Sequence, residues 1–420
     1  MEKTEKGKSS LFTKDFTLVV IGQIISLFGN AVVRFALPLY LLNQTGSSAL
    51  YGTVMACAFI PMILLSPVGG MIADRMNKRN IMVALDFTTA GLLLGFLLLQ
   101  GRMNLVFLLT LTLMLLFGIA GAYQPTVQAS IPALVGQEHY MQANAVINIV
   151  SSFAALLGPV FGGVLYSVYG LIPILEVGVS CFLLSAVMEL FIRIPYEKQE
   201  ASGGIWKIMR QDLGESFHFI RREKPMIGKG LIVTCCVNLF FSALINVGLP
   251  YLVTEVLPFS DALANRLYGY AEGALAAGGI VGGIGAGILA QKLQVKKAGN
   301  LLAVAALCLF PVGAALLLTE SELTVYLILT VCCFVIMVMA TVFSVQIMAF
   351  VQTETPKHLV GKVISLCMML SMCAQPLGSA MYGFLFELFA GREAVVVLAA
   401  GAVSLVVAAR ARSVFSMVTD

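Results

Sequence analysis

Long stretches without a charged residue alternate with short polar segments along this chain. Asp, Glu, Lys and Arg are all absent from Met103–Gln137, His139–Leu175, Gly230–Thr254 and Leu323–Thr353. A helix needs about 20 mostly apolar residues to cross a bilayer. Strands of a membrane barrel would alternate polar and apolar residues, whereas these stretches are apolar on every face. The pattern therefore predicts membrane-spanning helices.

The alternation predicts an all-α membrane protein with twelve transmembrane helices in two pseudo-symmetric six-helix bundles. In the first half, helices are expected at residues 16–42, 49–73, 80–100, 104–124, 142–165 and 172–194. In the second half, they are expected at 227–256, 266–291, 298–318, 323–350, 363–388 and 393–411. The first segment is too long for the core of a signal peptide and has no small-residue cleavage site, so it is expected to remain as a helix.

Composition leads to the same class. Hydrophobic residues make up 59% of the 420 residues and charged residues 11%, with a mean hydropathy of +0.94. A water-soluble globule of this length would need far more polar surface. The nine cysteines lie in apolar stretches without paired loop spacing, so we interpret them as small core residues rather than disulfides.

The cations are distributed unevenly between alternate connections. Of the 26 Lys and Arg residues, 22 fall in one set of connections, and the other set carries only Arg102, Arg266 and Arg392. The remaining cation, Arg34, lies within the first helix. Because cytoplasmic loops carry the excess of Lys and Arg, we expect a multi-pass protein of the cell (inner) membrane with both termini in the cytoplasm. The net charge of +4 follows from this asymmetry and needs no nucleic-acid partner.

The two halves share a repeated pattern. Gly70–Arg75 recurs as Gly287–Lys292, displaced by 217 positions, and the same displacement carries Pro159 onto Pro376. Internal repeats of this kind build many transporters, with the substrate site at the seam between them. We therefore expect bundles at 1–194 and 226–420. The linker 195–225 between them is expected to hold an amphipathic helix on the cytoplasmic face, because its apolar residues recur at helical spacing: Trp206, Ile208, Met209, Leu213, Phe217 and Ile220.

Several glycines crowd the eighth predicted helix, at positions 278, 279, 282, 283, 285 and 287. No strand precedes them, so a dinucleotide loop is excluded, and we interpret them as helix-packing glycines. No phosphate-binding G-x-x-x-x-G-K-[ST] motif occurs.

The connection between the second and third helices carries a motif with a glycine, an acid and several cations. It comprises Gly70, Asp74, Arg75, Lys78 and Arg79. Together with the composition and the repeat, this motif resembles that of major facilitator superfamily transporters, and the chain is similar to their macrolide-efflux-type branch of drug exporters. The resemblance implies that the motif is a cytoplasmic gate that latches the two halves in the outward-open state. Asn77 stands where the family usually has a loop glycine, and we expect it to tolerate left-handed backbone.

A second motif lies in the fifth helix: Gly158, Pro159, Gly162 and Gly163. It resembles the core of the family's antiporter signature, which implies export against proton entry, although the upstream glycines of that signature are missing. Ordinary close packing of helices is the competing interpretation. The arginine that drug antiporters of this superfamily often carry in the fourth helix is also missing, because no Lys or Arg lies between Met103 and Met141.

Charged residues inside the bilayer are the best candidates for a site, since one at a helix centre costs about 2.5–3.5 kcal/mol on insertion scales. Arg34 could attract an anionic group or hold a carboxylate ionised, or form a structural pair. Glu272 is a candidate proton carrier. Asp86 and Glu176 are expected to be structural, paired acids of peripheral helices. Glu189 lies near the inner membrane surface and is expected to be solvated.

Neutral polar residues at depth could line a cavity for a large amphipathic solute, although most are expected to form interhelical hydrogen bonds. They are Asn30, Gln124, Asn148, Asn238, Asn246, Gln346 and Gln375. His139, His218 and His358 all fall in cytoplasmic segments, so no metal site and no catalytic histidine cluster is expected.

These features predict a secondary active transporter rather than an enzyme. The expected activity is proton-coupled efflux of amphipathic drugs by alternating access, by a monomer whose partners are a small-molecule substrate, protons and membrane lipid. No cofactor is expected beyond the proton gradient. The alternatives are a lipid (lysophospholipid) or siderophore exporter, or an importer of an anion that uses Arg34. A membrane enzyme would need clustered acids or histidines at a membrane surface, and a sensor would usually add a soluble output domain.

The gate motif carries one direct prediction. Asp74→Asn should leave membrane insertion intact but slow the turnover of transport, because the latch loses its carboxylate. Initial rates of solute uptake into inside-out vesicles, normalised to the amount of inserted protein, measure the effect. An unchanged rate would argue against the latch.

Overall fold

A computed structural model describes residues 11–194, 213–289, 295–356 and 359–416. Within these ranges twelve helices are long and apolar enough to cross a membrane, as predicted. The first six are α1 Lys14–Thr45, α2 Ser48–Arg75, α3 Lys78–Leu99, α4 Leu105–Leu134, α5 Tyr140–Tyr169 and α6 Leu171–Leu190. The other six are α7 Pro225–Val256, α8 Asp261–Ile288, α9 Val295–Leu318, α10 Glu322–Glu354, α11 Val360–Leu388 and α12 Glu393–Phe415.

The ends of several helices differ from the prediction, most clearly in α4, which continues to Leu134 rather than ending at residue 124. Pro125 and Pro132 lie inside this helix. Membrane helices tolerate proline because neighbouring helices and hydroxyl side chains satisfy freed backbone groups. Next to Pro125, the hydroxyl of Thr126 donates to the carbonyl oxygen of Ala122 at 2.9 Å.

The chain forms two compact units. The first comprises Met1–Leu41 and Cys57–Ala201, and the second comprises Leu42–Ala56 and Ser202–Asp420. The second unit therefore contains the end of α1 and the first turns of α2, together with α7–α12. Much of the predicted linker, including Trp206, Ile208 and Met209, lies outside the described residues. In its described part, residues 213–218 are helical, Phe217 is exposed and Ile220 is buried.

Small residues bring helices into close contact in both units, as membrane packing requires. In the first unit, a Cβ at Gly121 of α4 would lie 2.8 Å from the carbonyl oxygen of Met62 in α2. In the second unit, a Cβ at Gly282 of α8 would lie 2.7 Å from the carbonyl oxygen of Val338 in α10. Because the 217-residue displacement carries α2 onto α8 and α4 onto α10, the two units repeat the same tight helix pair.

The glycines of α8 differ in what they do. A Cβ at Gly278 would lie 2.7 Å from the carbonyl oxygen of Phe334, so this glycine packs α8 on α10 like Gly282. Added Cβ atoms at Gly283, Gly285 and Gly287 would meet nothing within 4 Å. The predicted packing role therefore holds for the first part of this glycine series and not for its last members.

Candidate functional site

Arg34 of α1 is placed against an aromatic ring. The Cζ atom of Arg34 lies 3.6 Å from the ring centroid of Phe117 in α4. Phe117 is buried and packs edge-on against Phe59 of α2, with ring centroids 5.2 Å apart. A guanidinium over an aromatic face is stabilised by the ring quadrupole. Among the described carboxylates, none forms an ion pair with Arg34, so its neighbour in another helix is a ring rather than an acid.

The glycines of the antiporter-like motif hold α5 against the same stretch of α1. A Cβ at Gly158 would overlap the Cβ of Ala31, and one at Gly162 would lie 2.9 Å from Cδ1 of Phe35. Pro159 lies inside the helix and Gly163 is buried. These contacts lie on both sides of Arg34 along α1. The motif therefore helps to fix the backbone of α1 at Arg34.

The second unit contains a cavity of about 300 Å³ between α7, α10 and α11. Its walls are mostly apolar, with isolated polar side chains, and are formed by Ile227, Leu231, Thr234, Asn238, Ser344, Ile347, Met348, Val351, Ile364, Cys367, Met368, Ser371 and Met372. Asn238 was among the predicted cavity-lining residues, whereas the three hydroxyl residues were not. An apolar pocket with a few placed polar groups is the usual form of a small-molecule site.

The backbone of α7 departs from regular α-helix at the cavity. Asn238–Ser242 forms a π-helical turn, in which the N–H of Ala243 donates to the carbonyl oxygen of Asn238. The Asn238 amide donates to the carbonyl oxygen of Ser371 at 3.1 Å and accepts from the hydroxyl of Ser242 at 3.3 Å. Single π-turns inside helices occur frequently at functional sites. The π-turn therefore places the side-chain amide of Asn238, fixed by these two hydrogen bonds, in the wall of the cavity.

Glu272 belongs to a small polar cluster in the second unit. It lies partly buried in α8 beside the side chain of Tyr268, one helical turn earlier. Tyr268 in turn lies beside Tyr51 of α2, and both tyrosines are buried. The two tyrosines therefore lie between the predicted proton carrier and a helix of the first half of the sequence.

The second unit also brings the start of α2 against α11. The carboxylate of Glu387 accepts hydrogen bonds from the Ser47 hydroxyl at 2.9 Å and from the backbone N–H of Ala49 at 3.2 Å. It thereby caps the N-terminus of α2, where negative charge is favoured. The hydroxyl of buried Ser48 donates to the carbonyl oxygen of Gly383 at 3.0 Å.

Backbones meet closely at this contact because glycines face each other. A Cβ at Gly52 would overlap the carbonyl oxygen of Ser379 and lie 2.9 Å from Cα of Gly383. Nearby, the amide of Asn43 donates to that of Asn265 at 2.9 Å. We call the contact formed by Ser47, Ser48, Gly52, Gly383 and Glu387 the α2–α11 contact. Sequence reasoning did not find it, since no sequence pattern pairs residues more than 300 positions apart.

The predicted cytoplasmic gate is described only in part. Gly70, Asp74 and Arg75 lie at the end of α2, and their side-chain positions lie outside the described part of the structure. Lys78 and Arg79 begin α3, and the Arg79 guanidinium donates to the amide oxygen of Asn80. The expectation of left-handed backbone at Asn77 is wrong. Its φ is −64°, and its side chain caps α3 by accepting from the N–H of Arg79 at 3.0 Å.

The remaining predicted polar residues do not form one group. Asn246 and Gln346 each have a buried side-chain atom without a partner, Nδ2 and Oε1 respectively. Three more predicted residues, Asn30, Gln124 and Gln375, are partly buried, whereas Asn148 is exposed. None of these six is among the residues that line the cavity, which leaves Asn238 as the predicted neutral residue placed there.

The acids of the first unit differ in burial and in hydrogen bonding. Asp86 is buried and accepts from the Ser26 hydroxyl at 3.1 Å, and it forms no ion pair with a described residue. Glu176 is exposed, and in the described ranges its carboxylate has no partner. The expectation that Glu189 is solvated is wrong: it is fully buried and accepts from the Tyr123 hydroxyl at 2.8 Å. Across the described residues, no group of three or more His, Cys, Asp or Glu side chains is suited to a metal ion.

Comparison with known proteins identifies the family. A sequence profile of the Major Facilitator Superfamily matches residues 19–379. The chain belongs to this superfamily. It is similar to macrolide efflux protein A of Streptococcus pyogenes, with 24% identity, over 90% of this chain and 89% of that protein. It is also similar to the enterobactin exporter EntS of Citrobacter koseri, with 24% identity over 88% and 84% of the two chains.

Solved structures show the same architecture. The nucleoside transporter NupG matches with a TM-score of 0.76 and 13% identity, over 97% of this chain and all of that one. The chain therefore has the major facilitator fold, with twelve membrane-spanning helices among the described residues. Family and fold together make this chain a multi-pass membrane transporter, with exporters among its relatives, rather than an enzyme.

Proposed function

We propose that the protein exports amphipathic compounds, macrolide-like drugs or molecules of similar chemistry, and that proton entry drives the export. The observation that supports this proposal is the cavity between α7, α10 and α11. Its walls suit the apolar part of a solute, and Thr234, Asn238 and Ser344 supply hydrogen bonds to a polar group. The relatives named for macrolide efflux and enterobactin export support the outward direction.

The size and flexibility of the cavity suggest how it is used. About 300 Å³ is at the lower end of ligand pockets, which span about 300–1,000 Å³, so the cavity would hold one apolar portion of a large solute. Met348, Met368 and Met372 lie on its wall. Methionine side chains are flexible and polarizable, and they adapt to irregular apolar shapes. This wall suits a transporter that accepts several related compounds.

Alternating access requires a contact that opens when the solute leaves. The α2–α11 contact lies at the helix ends that the Lys and Arg distribution predicts to face outward. Its glycines allow close approach, and its hydrogen bonds from Ser47 and Ser48 are few. We therefore assign it the role of the outer gate, which separates to release the solute and closes again afterwards.

The energy for this cycle would come from protons. One elementary charge that crosses about 150 mV releases roughly 3.5 kcal/mol, which supports a solute gradient of about a few hundred fold. Glu272 is the proposed proton carrier, because it is an intramembrane carboxyl beside Tyr268, and Tyr268 lies beside Tyr51 of α2. Protonation there would change the charge that α8 presents to these tyrosines, next to the helix that forms the outer gate.

The cavity is tested by filling it. Ser344 lines it and is exposed, so Ser344→Phe adds bulk to the wall without disturbing a buried contact. We expect uptake of a radiolabelled macrolide into inside-out vesicles, energised by a pH gradient, to fall by about tenfold. A loss of 1.4 kcal/mol in solute binding corresponds to that factor.

Ser180→Phe is the matched control, because Ser180 is an exposed serine of α6 in the other unit. Its uptake should remain within about twofold of the unaltered protein. Equal loss in both variants, or none in either, would remove the cavity from the transport path. If the unaltered protein moves no macrolide but moves a siderophore or a lysophospholipid, the export of drugs is wrong and the alternative exporter is correct.

A further inference from the structure

Two acidic side chains are buried in the same part of the first unit. Asp86 of α3 and Glu189 of α6 are 2% and 0% exposed, and Ser185 of α6 lies beside both: a Cβ at Gly22 would lie 3.5 Å from its Oγ and 3.7 Å from Cγ of Glu189. Tyr123 of α4 and Gln23 of α1 are buried beside them. Four different helices thus deliver polar side chains to one enclosed point of an otherwise apolar bundle.

Hydrogen bonds fix these side chains in two groups, one at Glu189 and one at Asp86. The Gln23 amide donates to the Tyr123 hydroxyl at 2.7 Å, and that hydroxyl donates to Oε1 of Glu189 at 2.8 Å. Ser26 donates to Oδ1 of Asp86 at 3.1 Å. The hydroxyl of Ser185, also beside Asp86, donates to the carbonyl oxygen of Gly22 at 3.2 Å. Each hydroxyl has only one proton, and each of these protons is already used.

Three oxygen atoms of the cluster are left without a partner. Oε1 of Gln23, Oδ2 of Asp86 and Oε2 of Glu189 are all buried and accept no hydrogen bond. No basic side chain among the described residues forms an ion pair with either acid. A buried carboxylate without a compensating charge is strongly unfavourable, and a buried oxygen without a donor adds to that cost. The cluster therefore has a surplus of negative charge and of acceptors.

We propose that Asp86, Glu189 and Gln23 form a binding site for a small hard metal cation, Na⁺ or Ca²⁺. Carboxylate and amide oxygens are the ligands that hard cations prefer. A bound cation offsets the charge of the two acids and gives each unpartnered oxygen a ligand role. It would also tie α1, α3 and α6 together within the first unit.

The position of the cluster gives the cation a route of entry. Glu189 is the residue before the last in α6, Leu171–Leu190, at the end that the Lys and Arg distribution predicts to face the cytoplasm. Ile192 and Ile194, which follow this helix end, pack in one core cluster with Phe16 and Tyr123. A small local opening of this cluster at the end of α6 would connect the site to the inner aqueous phase. The proposal does not depend on which solute the protein moves.

The test measures binding without transport. The full-length protein, purified in detergent, is unfolded by heat in NaCl, CaCl₂ or choline chloride at equal ionic strength. Because a ligand that binds the native state stabilises it by mass action, we expect one of the two metal salts to raise the unfolding midpoint saturably, by about 3 °C or more at high concentration. Choline chloride should give no such rise, because choline is a bulky organic cation that the three buried oxygens cannot coordinate. The comparison of NaCl with CaCl₂ identifies which metal ion binds.

Variants assign the effect to this site. Asp86→Asn and Glu189→Gln keep the side-chain shape and should abolish the ion-dependent rise, and Gln23→Leu should weaken the apparent affinity about tenfold. For each variant, the unfolding midpoint is measured with and without the ion. A lower stability of the variant itself therefore does not hide the effect of the ion. Glu176→Gln, an exposed acid of the same helix as Glu189, should keep the full response.

Three results would overturn the proposal. No metal salt shifts the midpoint of the unaltered protein more than choline does, in which case protons rather than a metal ion neutralise the two acids. Alternatively, the shift persists in both Asp86→Asn and Glu189→Gln, which places the ion elsewhere. If both of these variants fail to fold, equilibrium binding of radiolabelled Na⁺ and Ca²⁺ to Gln23→Leu and to the unaltered protein decides, and equal affinity refutes the site.

Discussion

Gly52→Leu should reduce transport more than tenfold, because the α2–α11 contact can no longer close. Even a Cβ at this position would overlap the carbonyl oxygen of Ser379, and Cα of Gly383 lies 2.9 Å from it. Backbone has little room to move aside, and overpacking of this kind typically costs about 1–3 kcal/mol. A shift of 1.4 kcal/mol changes the ratio of closed to open states tenfold. Initial rates of solute uptake into inside-out vesicles measure the loss.

A second readout separates an open gate from a misfolded protein. Ser379 is fully buried, so the cysteine of Ser379→Cys should react slowly with a membrane-impermeant maleimide applied from outside. In the double variant Gly52→Leu, Ser379→Cys, we expect the labelling of this cysteine to rise at least fivefold. Site-resolved mass spectrometry quantifies the labelling. Gly91→Leu is the control, because a Cβ at Gly91 meets nothing within 4 Å. Normal transport by Gly52→Leu would show that the contact is not a gate.

The spanning helices are predictable from sequence because the bilayer imposes a simple rule. A segment must be apolar for about 20 residues, and the charge-free stretches around α4, α5, α7 and α10 meet this condition. The positions of helix ends are less predictable. Pro125 suggests an end to α4, yet the helix continues to Leu134, and helices in membranes tolerate such interior prolines.

The burial of an acid near a helix end depends on what the chain does next. Glu189 is almost the last residue of α6, and its place in the sequence indicates contact with water. The residues that follow instead pack against the bundle, because Ile192 and Ile194 belong to a core cluster with Phe16, Met82 and Tyr123. The local sequence shows that these residues are apolar, but it does not show which residues of other helices they contact. The interpretation of Glu189 was wrong for that reason.

The same limit applies to the candidate transport site. A search for polar residues at depth finds Asn238, but Thr234, Ser344 and Ser371 of the cavity wall resemble ordinary serines and threonines of membrane helices. Their helices, α7, α10 and α11, converge only in three dimensions. Residues such as Asn30 and Asn148 have the same chemistry and do not line the cavity. Polarity therefore provides candidates, and helix packing selects among them.

The substitution Glu272→Gln should uncouple transport from the proton gradient. Glutamine keeps the size of the side chain beside Tyr268, but it takes up no proton at any working pH. We expect uptake driven by a pH gradient across inside-out vesicles to fall at least about tenfold. Exchange of labelled for unlabelled solute without a gradient should remain within about twofold, because that process needs alternating access but no proton.

The comparison of the two assays identifies the role of the carboxyl. Loss of both activities would indicate a structural role for Glu272, and retention of both would exclude it as the proton carrier. Glu176→Gln removes an acid that is exposed and should leave both assays unchanged. Tyr51→Phe removes the hydroxyl beside Tyr268 while Glu272 stays intact. If the link to α2 transmits protonation to the outer gate, this variant should slow gradient-driven uptake about threefold or more and leave exchange unchanged.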